Sequence, residues 1–313
     1  MSANQELFEL KFYKWEKEFK DKPYLRQPIG ETWEEYTWGE VGDMARRLAS
    51  GLKSLNLREG AHIGIYSKNC REWIISDLAI VMAGYVSVPF FPSLNGKELS
   101  YIMDYGDVDA LFIGKIETWD DIKDDLPNEM PIIRFPKYEG CSNVTKGYEW
   151  HEFINSNEPI ENPNQPKLSD LWTIIFTSGT TGNPKGVMLT YQAIDGIKVV
   201  LDDPNNPLGI KHTGNNDFIS YLPLNHIFER VVIEWCSFRY GGTISFVESI
   251  ETFGQNLKEV QPHVFAAAPR VWTKLQMGIL SKFPQKKLDT LLKIPLFSTI
   301  LKKLIRKGLG FSR

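Results

Sequence analysis

Thr173-Ile-Ile-Phe-Thr-Ser-Gly-Thr-Thr-Gly-Asn-Pro-Lys-Gly-Val-Met-Leu-Thr190 is the stretch on which the fold turns. A continuous apolar run, Leu171–Phe176, reads as a buried strand and opens into a loop of hydroxyls and glycines. Lysine follows at Lys185, and a helix is expected from Thr190 to Leu201. Glycines let a backbone approach an anion with no Cβ in the way. Successive N–H groups in such a loop can converge on phosphate oxygens. Thr177, Ser178, Thr180 and Thr181 add hydroxyl donors that can also ligate magnesium, and Lys185 adds a mobile positive charge. In physical terms this is a polyphosphate-binding loop. It is not a P-loop of the G-x-x-x-x-G-K-[ST] type: counted from Gly179, Pro184 stands where the second glycine belongs, and Gly186 follows the lysine. No G-x-G-x-x-G occurs, so a dinucleotide fold has no support.

Outward from that segment the chain alternates helix and strand. Helices are expected at Leu7–Phe19, Trp38–Leu55, Arg71–Ala83 and Leu99–Tyr105. Strands are expected at Ala61–Tyr66, Val86–Phe90, Ala110–Ile113 and Pro131–Arg134. Downstream come strands Phe218–Leu222, Thr243–Phe246 and His263–Ala267, with helices Ile227–Phe238, Phe253–Val260 and Arg270–Phe283. The succession predicts a layered α/β/α fold with largely parallel sheets. Glu117–Lys167, rich in Asn, Pro, Lys and Asp, reads as a surface excursion, and Phe12, Tyr13, Trp15 and Phe19 as the packing face of the first helix. The domain reading is a first subdomain over 1–167, a phosphate-loop and acyl-site subdomain over 168–281, and a basic helical tail over 282–313.

Composition bounds the function classes. The 313 residues are 42% hydrophobic and 24% charged, which excludes a disordered chain, and the net charge of −3 gives no whole-chain argument for nucleic acid. Cys70, Cys141 and Cys236 are odd in number and lack a C-x-x-C spacing, which excludes a disulfide framework and fits a reducing compartment. The N-terminus has no apolar h-region, and the run near Leu78–Pro92 is too short to span a bilayer, so a cytoplasmic protein is expected. The last segment differs from the rest: residues 282–313 hold nine Lys or Arg and one Asp. Leu291, Leu292, Ile294, Leu301, Leu304 and Ile305 are available there for one apolar face. A solvated helix pair is the plainer reading, and peripheral contact with an anionic membrane stays open.

Thr177–Gly186 resembles the phosphate-binding signature of the adenylate-forming superfamily, which includes acyl-CoA synthetases, firefly luciferase and peptide-synthetase adenylation domains. Tyr221-Leu-Pro-Leu-Asn-His-Ile-Phe-Glu-Arg230 is similar to the LPL-x-H-x-FER segment of long-chain acyl-CoA synthetases. Ala266-Ala-Ala-Pro-Arg-Val-Trp272 is similar to a segment those enzymes carry downstream, and Tyr36–Pro92, with Asn69-Cys-Arg-Glu-Trp73, to their N-terminal subdomain. The resemblance covers nearly the whole chain.

It implies an incomplete N-terminal large domain of an AMP-forming long-chain fatty acid–CoA ligase. Thr177, Ser178, Gly179, Thr180, Thr181, Gly182 and Lys185 match the loop that holds the ATP β- and γ-phosphates, Thr180 matches the Mg²⁺ position, and His226 the position beside the reacting carboxylate and α-phosphate. Arg230 stands where some bacterial subgroups have an aromatic gate, so that role does not carry over. The implied reaction is attack of a fatty carboxylate on the α-phosphorus of ATP, then of the coenzyme A thiol on the acyl-adenylate. The remaining histidines, His62, His151, His212 and His263, receive no role, and a structural Glu229–Arg230 ion pair is expected. The motifs for adenine, ribose and the small C-terminal domain are not found before Arg313, so weak or absent ligase activity is expected of the chain alone. Two alternatives stay open: a remnant that binds nucleotide or lipid, or pairs with a separately encoded C-terminal portion, and an adenylating enzyme that delivers acyl groups to a carrier protein.

Overall fold

The structure, a computed structural model, describes residues 8–177 and 184–311. The strands are β1 (Pro23–Ile29), β2 (Thr32–Thr37), β3 (His62–Ser67), β4 (Val86–Phe90), β5 (Val108–Gly114), β6 (Ile132–Arg134), β7 (Tyr148–Glu149), β8 (Leu171–Thr177), β9 (Lys185–Thr190), β10 (Asp217–Ser220) and β11 (Thr243–Phe246). The helices are α1 (Phe8–Glu18), α2 (Trp38–Ser54), α3 (Arg71–Ala83), α4 (Gly96–Tyr105), α5 (Trp119–Ile122), α6 (Trp150–Asn155), α7 (Tyr191–Asp195), α8 (Lys198–Leu201), α9 (Ile227–Glu229), α10 (Cys236–Tyr240), α11 (Phe253–Val260), α12 (Pro269–Lys282), α13 (Gln285–Leu292) and α14 (Pro295–Leu309). A π-helical turn, Arg230–Trp235, joins α9 to α10.

Two sheets form. The larger runs β7-β6-β5-β3-β4-β8-β9 and is parallel except for the β8–β9 hairpin. The smaller runs β10-β11-β1-β2, parallel except for β1–β2. Strand alternation builds the layers. In β5, Ala110 and Phe112 face the main core, whereas Leu111 and Ile113 face a second cluster with Leu99, Ile102 and Met103 of α4 and Trp119 and Ile122 of α5. Each residue of α3 is buried, because this helix lies in the middle layer between the two sheets, among α2, β1, β3 and β4. Leu257 and Val260 of α11 pack with Ile219 against the outer face of the smaller sheet. The expected α/β/α layering of largely parallel strands thus holds for each sheet, and the two share the middle helical layer. The topology crosses residue 167 both ways: β1–β2 join β11, and β8–β9 join β4.

Four local expectations are corrected. β1 and β2 fill a stretch for which no element is expected; the prolines of β1, Pro23 and Pro28, sit near the strand ends, where a missing N–H is tolerated. The segment before Thr190 is the edge strand β9, and the helix after it is broken into α7 and α8 at Gly196. His263–Ala267 makes a single bridge, Phe218 to Val264, rather than a strand. Ile227–Phe238 is helical but carries the π turn. In the expected surface excursion, Trp119, Trp150 and Phe153 are buried. No helix among the described residues is long and apolar enough to cross a membrane.

Candidate active site

Strand β8 ends at Thr177, paired across the hairpin with Lys185, the first residue of β9. The Thr177 hydroxyl donates to the Lys185 carbonyl at 3.5 Å, and the Lys185 side chain is exposed. Ser178, Gly179, Thr180, Thr181 and Gly182 lie outside the described residues. Since β3, β4 and β8 are parallel, the loops after Ser67 and Thr177 leave the same edge of the sheet, the edge at which open α/β sheets bind ligands.

The second motif is held to that edge by one amide. Asn69, just after β3, donates through Nδ2 to Ser220 Oγ at 2.8 Å and to the Leu222 carbonyl at 2.6 Å. Its Oδ1 accepts from the Leu224 backbone N–H at 2.9 Å. The C-terminal ends of β3 and β10 are therefore clamped together. Lys115, after β5, reaches in behind the clamp, donating to the Asn69 carbonyl at 2.9 Å. Burial lowers its ammonium pKa, since the interior disfavours the charge.

His226 is exposed at the end of this clamped loop and precedes α9. Its Nδ1 accepts the Phe228 N–H at 3.2 Å, so the neutral ring carries its proton on Nε2 and offers that N–H to a ligand. Glu229 turns inward. Its Oε1 accepts from Ser220 Oγ and from the Tyr221 N–H, both at 3.0 Å. Complete burial pushes this carboxyl up to about 8, against the lowering effect of Ser220 and the backbone of Tyr221 and Leu222.

The expected Glu229–Arg230 ion pair does not form. Consecutive helical residues point about 100° apart, so neighbours do not face each other. Arg230, fully buried, reaches Asp77 Oδ2 through Nη2 at 2.6 Å and Glu234 Oε2 through Nε at 3.0 Å. Its Nη1 donates to Thr173 Oγ1 at 2.8 Å, and the guanidinium lies 4.0 Å from the Trp172 ring centroid. Adjacent residues of a regular strand point to opposite faces. Here both reach Arg230 because the β8–β9 register shifts between Leu171 and Thr173. Burial and the nearby Asp77 carboxylate drive Glu234 well above the usual carboxylate range. A proton on Glu234 balances the charges of the cluster. It also gives a donor between Asp77 Oδ1 and Glu234 Oε1, two buried oxygens that otherwise lack partners.

The three motifs are thus physically joined. Arg230 ties the second to β8, and the Tyr221 hydroxyl donates to the Ala266 carbonyl of the third at 2.9 Å. Asn69 stood in a quoted motif without a role, and Lys115, Asp77 and Thr173 were missed. Their partners lie 46 to 155 residues away in sequence, beyond any local pattern.

The family model for AMP-binding enzymes matches residues 12–303. The chain belongs to the AMP-binding enzyme family. Within the family, it is 32% identical over 267 residues to long chain acyl-CoA synthetase 4 of Arabidopsis thaliana, spanning 79% of this chain and 38% of that protein. It is 28% identical over 271 residues to the long-chain-fatty-acid–CoA ligase ACSBG2 of Rattus norvegicus, spanning 81% and 40%. The chain therefore covers about two fifths of the length of these AMP-binding relatives. Its fold is similar to that of the anthranilate CoA ligase AuaEII in complex with anthranoyl-AMP, with a TM-score of 0.69 at 18% identity over 82% of this chain and 48% of that one. A benzoate CoA ligase from Burkholderia xenovorans LB400 aligns with a TM-score of 0.68 at 17% identity, over 82% and 49%.

Proposed function

We propose that this chain forms part of an ATP-dependent, AMP-forming ligase that activates a long-chain fatty acid and passes it to coenzyme A. The observation that carries the reading is the β8–β9 hairpin at the ligand-binding edge of a parallel sheet, with Lys185 exposed beside Thr177 and the clamped His226 loop leaving the same edge. The names of the relatives and the Tyr221–Arg230 segment support fatty over aryl acids.

A carboxylate resists attack by a thiol until one of its oxygens becomes part of a good leaving group. In the first step the carboxylate oxygen bonds to the α-phosphorus of ATP and pyrophosphate departs. In the second, the coenzyme A thiol bonds to the acyl carbon and AMP departs. The demand on the protein is positioning and charge neutralisation around phosphates. In this proposal Thr177, Ser178, Gly179, Thr180, Thr181, Gly182 and Lys185 grip the β- and γ-phosphates, and the Nε2–H of His226 faces the carboxylate and α-phosphate. Among the described residues no group of three or more His, Cys, Asp or Glu could hold a metal. In this proposal a Mg²⁺ would take the Thr180 hydroxyl together with phosphate oxygens and would supply charge neutralisation.

Two measurements test this. Calorimetry on the chain should detect MgATP binding, weakened roughly tenfold in Lys185→Ala by loss of a charge-assisted contact. Pyrophosphate exchange by this chain fused to the remaining length of an Arabidopsis relative should depend on medium- to very-long-chain acids and not on benzoate. Exchange with benzoate alone, or an unchanged Lys185→Ala affinity, would overturn the reading.

A further inference from the structure

Lys185 and His226, the two side chains proposed to meet one nucleotide, belong to different sheets. Lys185 opens β9 of the larger sheet, and His226 follows β10 of the smaller. Groups carried by separate sheets keep a fixed spacing only where contacts cross between the sheets and lock the side chains that carry the chemistry. Arg230 makes such a crossing through Thr173, toward the other end of β8. At the ligand-binding edge the crossing is made by Asn69.

The geometry there calls for an amide. Asn69 follows β3 of the larger sheet and meets the loop after β10 with both ends of its side chain. Nδ2 carries two protons and faces two oxygens, Ser220 Oγ at 2.8 Å and the Leu222 carbonyl at 2.6 Å. Oδ1 faces the Leu224 N–H at 2.9 Å. Ser220 donates its own proton to Glu229 Oε1 at 3.0 Å, so the start of the loop is held from both sides. An aspartate has the same shape, but it would set an oxygen against the Leu222 carbonyl, which has no proton to give.

Asn69 is itself braced. Its carbonyl accepts from Lys115 Nζ at 2.9 Å, and Lys115 is a buried lysine with φ of 44°, in the left-handed region. A non-glycine residue keeps that conformation where its surroundings impose it, commonly at functional sites. Burying an ammonium and straining a backbone both cost stability. What they secure here is the Asn69 carbonyl, with the Tyr138 ring centroid 5.0 Å from the ammonium.

We propose that Asn69, braced by Lys115, is a positioning residue that fixes His226 relative to the phosphate hairpin, so that the imidazole and Lys185 can act on one triphosphate. This rests on the ligase reading for what His226 faces, and deepens it by naming what sets its place.

Two readouts on the 313-residue chain test it. The first needs no nucleotide. The Phe228 N–H is bonded to His226 Nδ1, so nitrogen NMR of the parent ring should show the Nε2–H form. Asn69→Ala should shift that spectrum toward mixed tautomers. It should also speed amide exchange at His226 and Phe228 at least about fivefold through local opening, with the amides of β5 unchanged. Asn69→Asp should act alike although it keeps the volume, and Lys115→Met should act in the same sense by about twofold.

The second readout is a double-mutant cycle on MgATP affinity, measured by calorimetry. Asn69→Ala should weaken binding about as much as His226→Ala, on the order of threefold. It should add nothing to His226→Ala and add in full to Lys185→Ala. Unmoved His226 and Phe228 signals in both Asn69 variants would overturn the proposal. So would a loss of affinity in Asn69→Ala that persists undiminished beside His226→Ala, the mark of a residue that only supports the fold. If Asn69→Ala does not fold, Lys115→Met carries both readouts. A parent chain that binds no MgATP would overturn the ligase reading instead, and the ring spectrum would still decide whether Asn69 places His226.

Discussion

The two ends of strand β8 handle charge in opposite ways. At its N-terminal end, Trp172 and Thr173 hold a guanidinium with no solvent exposure, tied to Asp77 on α3 and Glu234 on the π turn. At its C-terminal end, Thr177 pairs with a lysine whose side chain stands in water. A buried cation with its donors engaged is committed to the fold, because removing it strands charges that have no water to turn to. An exposed cation, at the edge where open α/β sheets commonly take ligands, is accessible to an anion from solvent. The same strand therefore anchors the molecule at one end and leaves a cation in water at the other.

The sharpest way to break this contrast is Arg230→Met. It leaves Asp77 buried and unpaired, and the expected loss is about 3–5 kcal/mol, read by urea denaturation. Adding Asp77→Leu should return much of that stability, since a buried ion pair replaced on both sides by apolar groups is often neutral. A loss below about 0.5 kcal/mol in the single variant would mean that the cluster is not the anchor described here, because that is within the range of ordinary surface changes.

Glu229 supplies the next effect, in pH. Its ordinary value is 4.5 and burial raises it to about 8, so between these the folded state holds a proton that the unfolded state has released. Its contribution is complete below pH 4.5 and is lost as pH rises through about 8. The slope in that window is at most about 1.4 kcal/mol per pH unit. Glu229→Gln, which mimics the neutral carboxyl, should match the parent within about 1 kcal/mol near pH 4.5 and lose less stability toward pH 8. Parallel denaturation series at the two pH values test this. A variant whose stability falls as steeply as the parent would move the titration to another group, with Glu234 the first candidate, since burial raises it as well.

The legibility of the sequence divides along the same line. Arg71–Ala83, Val86–Phe90, Thr243–Phe246 and Phe253–Val260 were readable to the residue, because their local pattern and their tertiary setting agree. Edge strand β9 was not, since Val187 and Met188 are both exposed and leave no alternation to read. β1 was hidden by its prolines, and its pairing with β11 spans more than two hundred residues. The hydroxyl-rich loop was visible because its distinctive residues stand together in sequence. The clamp before His226, made by Asn69 and Lys115, and the partners of Arg230 were not, because such contacts are made by whichever residues the topology brings together. Glu229 and Arg230 illustrate the difference: adjacency in sequence suggested a pair, and helical geometry sent them to separate partners.

The smallest expected effect on stability is the one that carries the contrast furthest. Lys185→Ala removes an exposed side chain from the first position of an edge strand, leaving its backbone pairing with Thr177 intact. Its unfolding free energy should change by less than about 0.5 kcal/mol, as for surface substitutions that touch no special feature. Arg230→Met should behave in the opposite sense, costing stability first. If Lys185→Ala lost several kcal/mol, the lysine would be part of the fold, and the C-terminal end of β8 would resemble its N-terminal end. A neutral Lys185→Ala that also loses nucleotide affinity would separate the two roles cleanly, since fold and ligand would then draw on different cations set at the two ends of one strand.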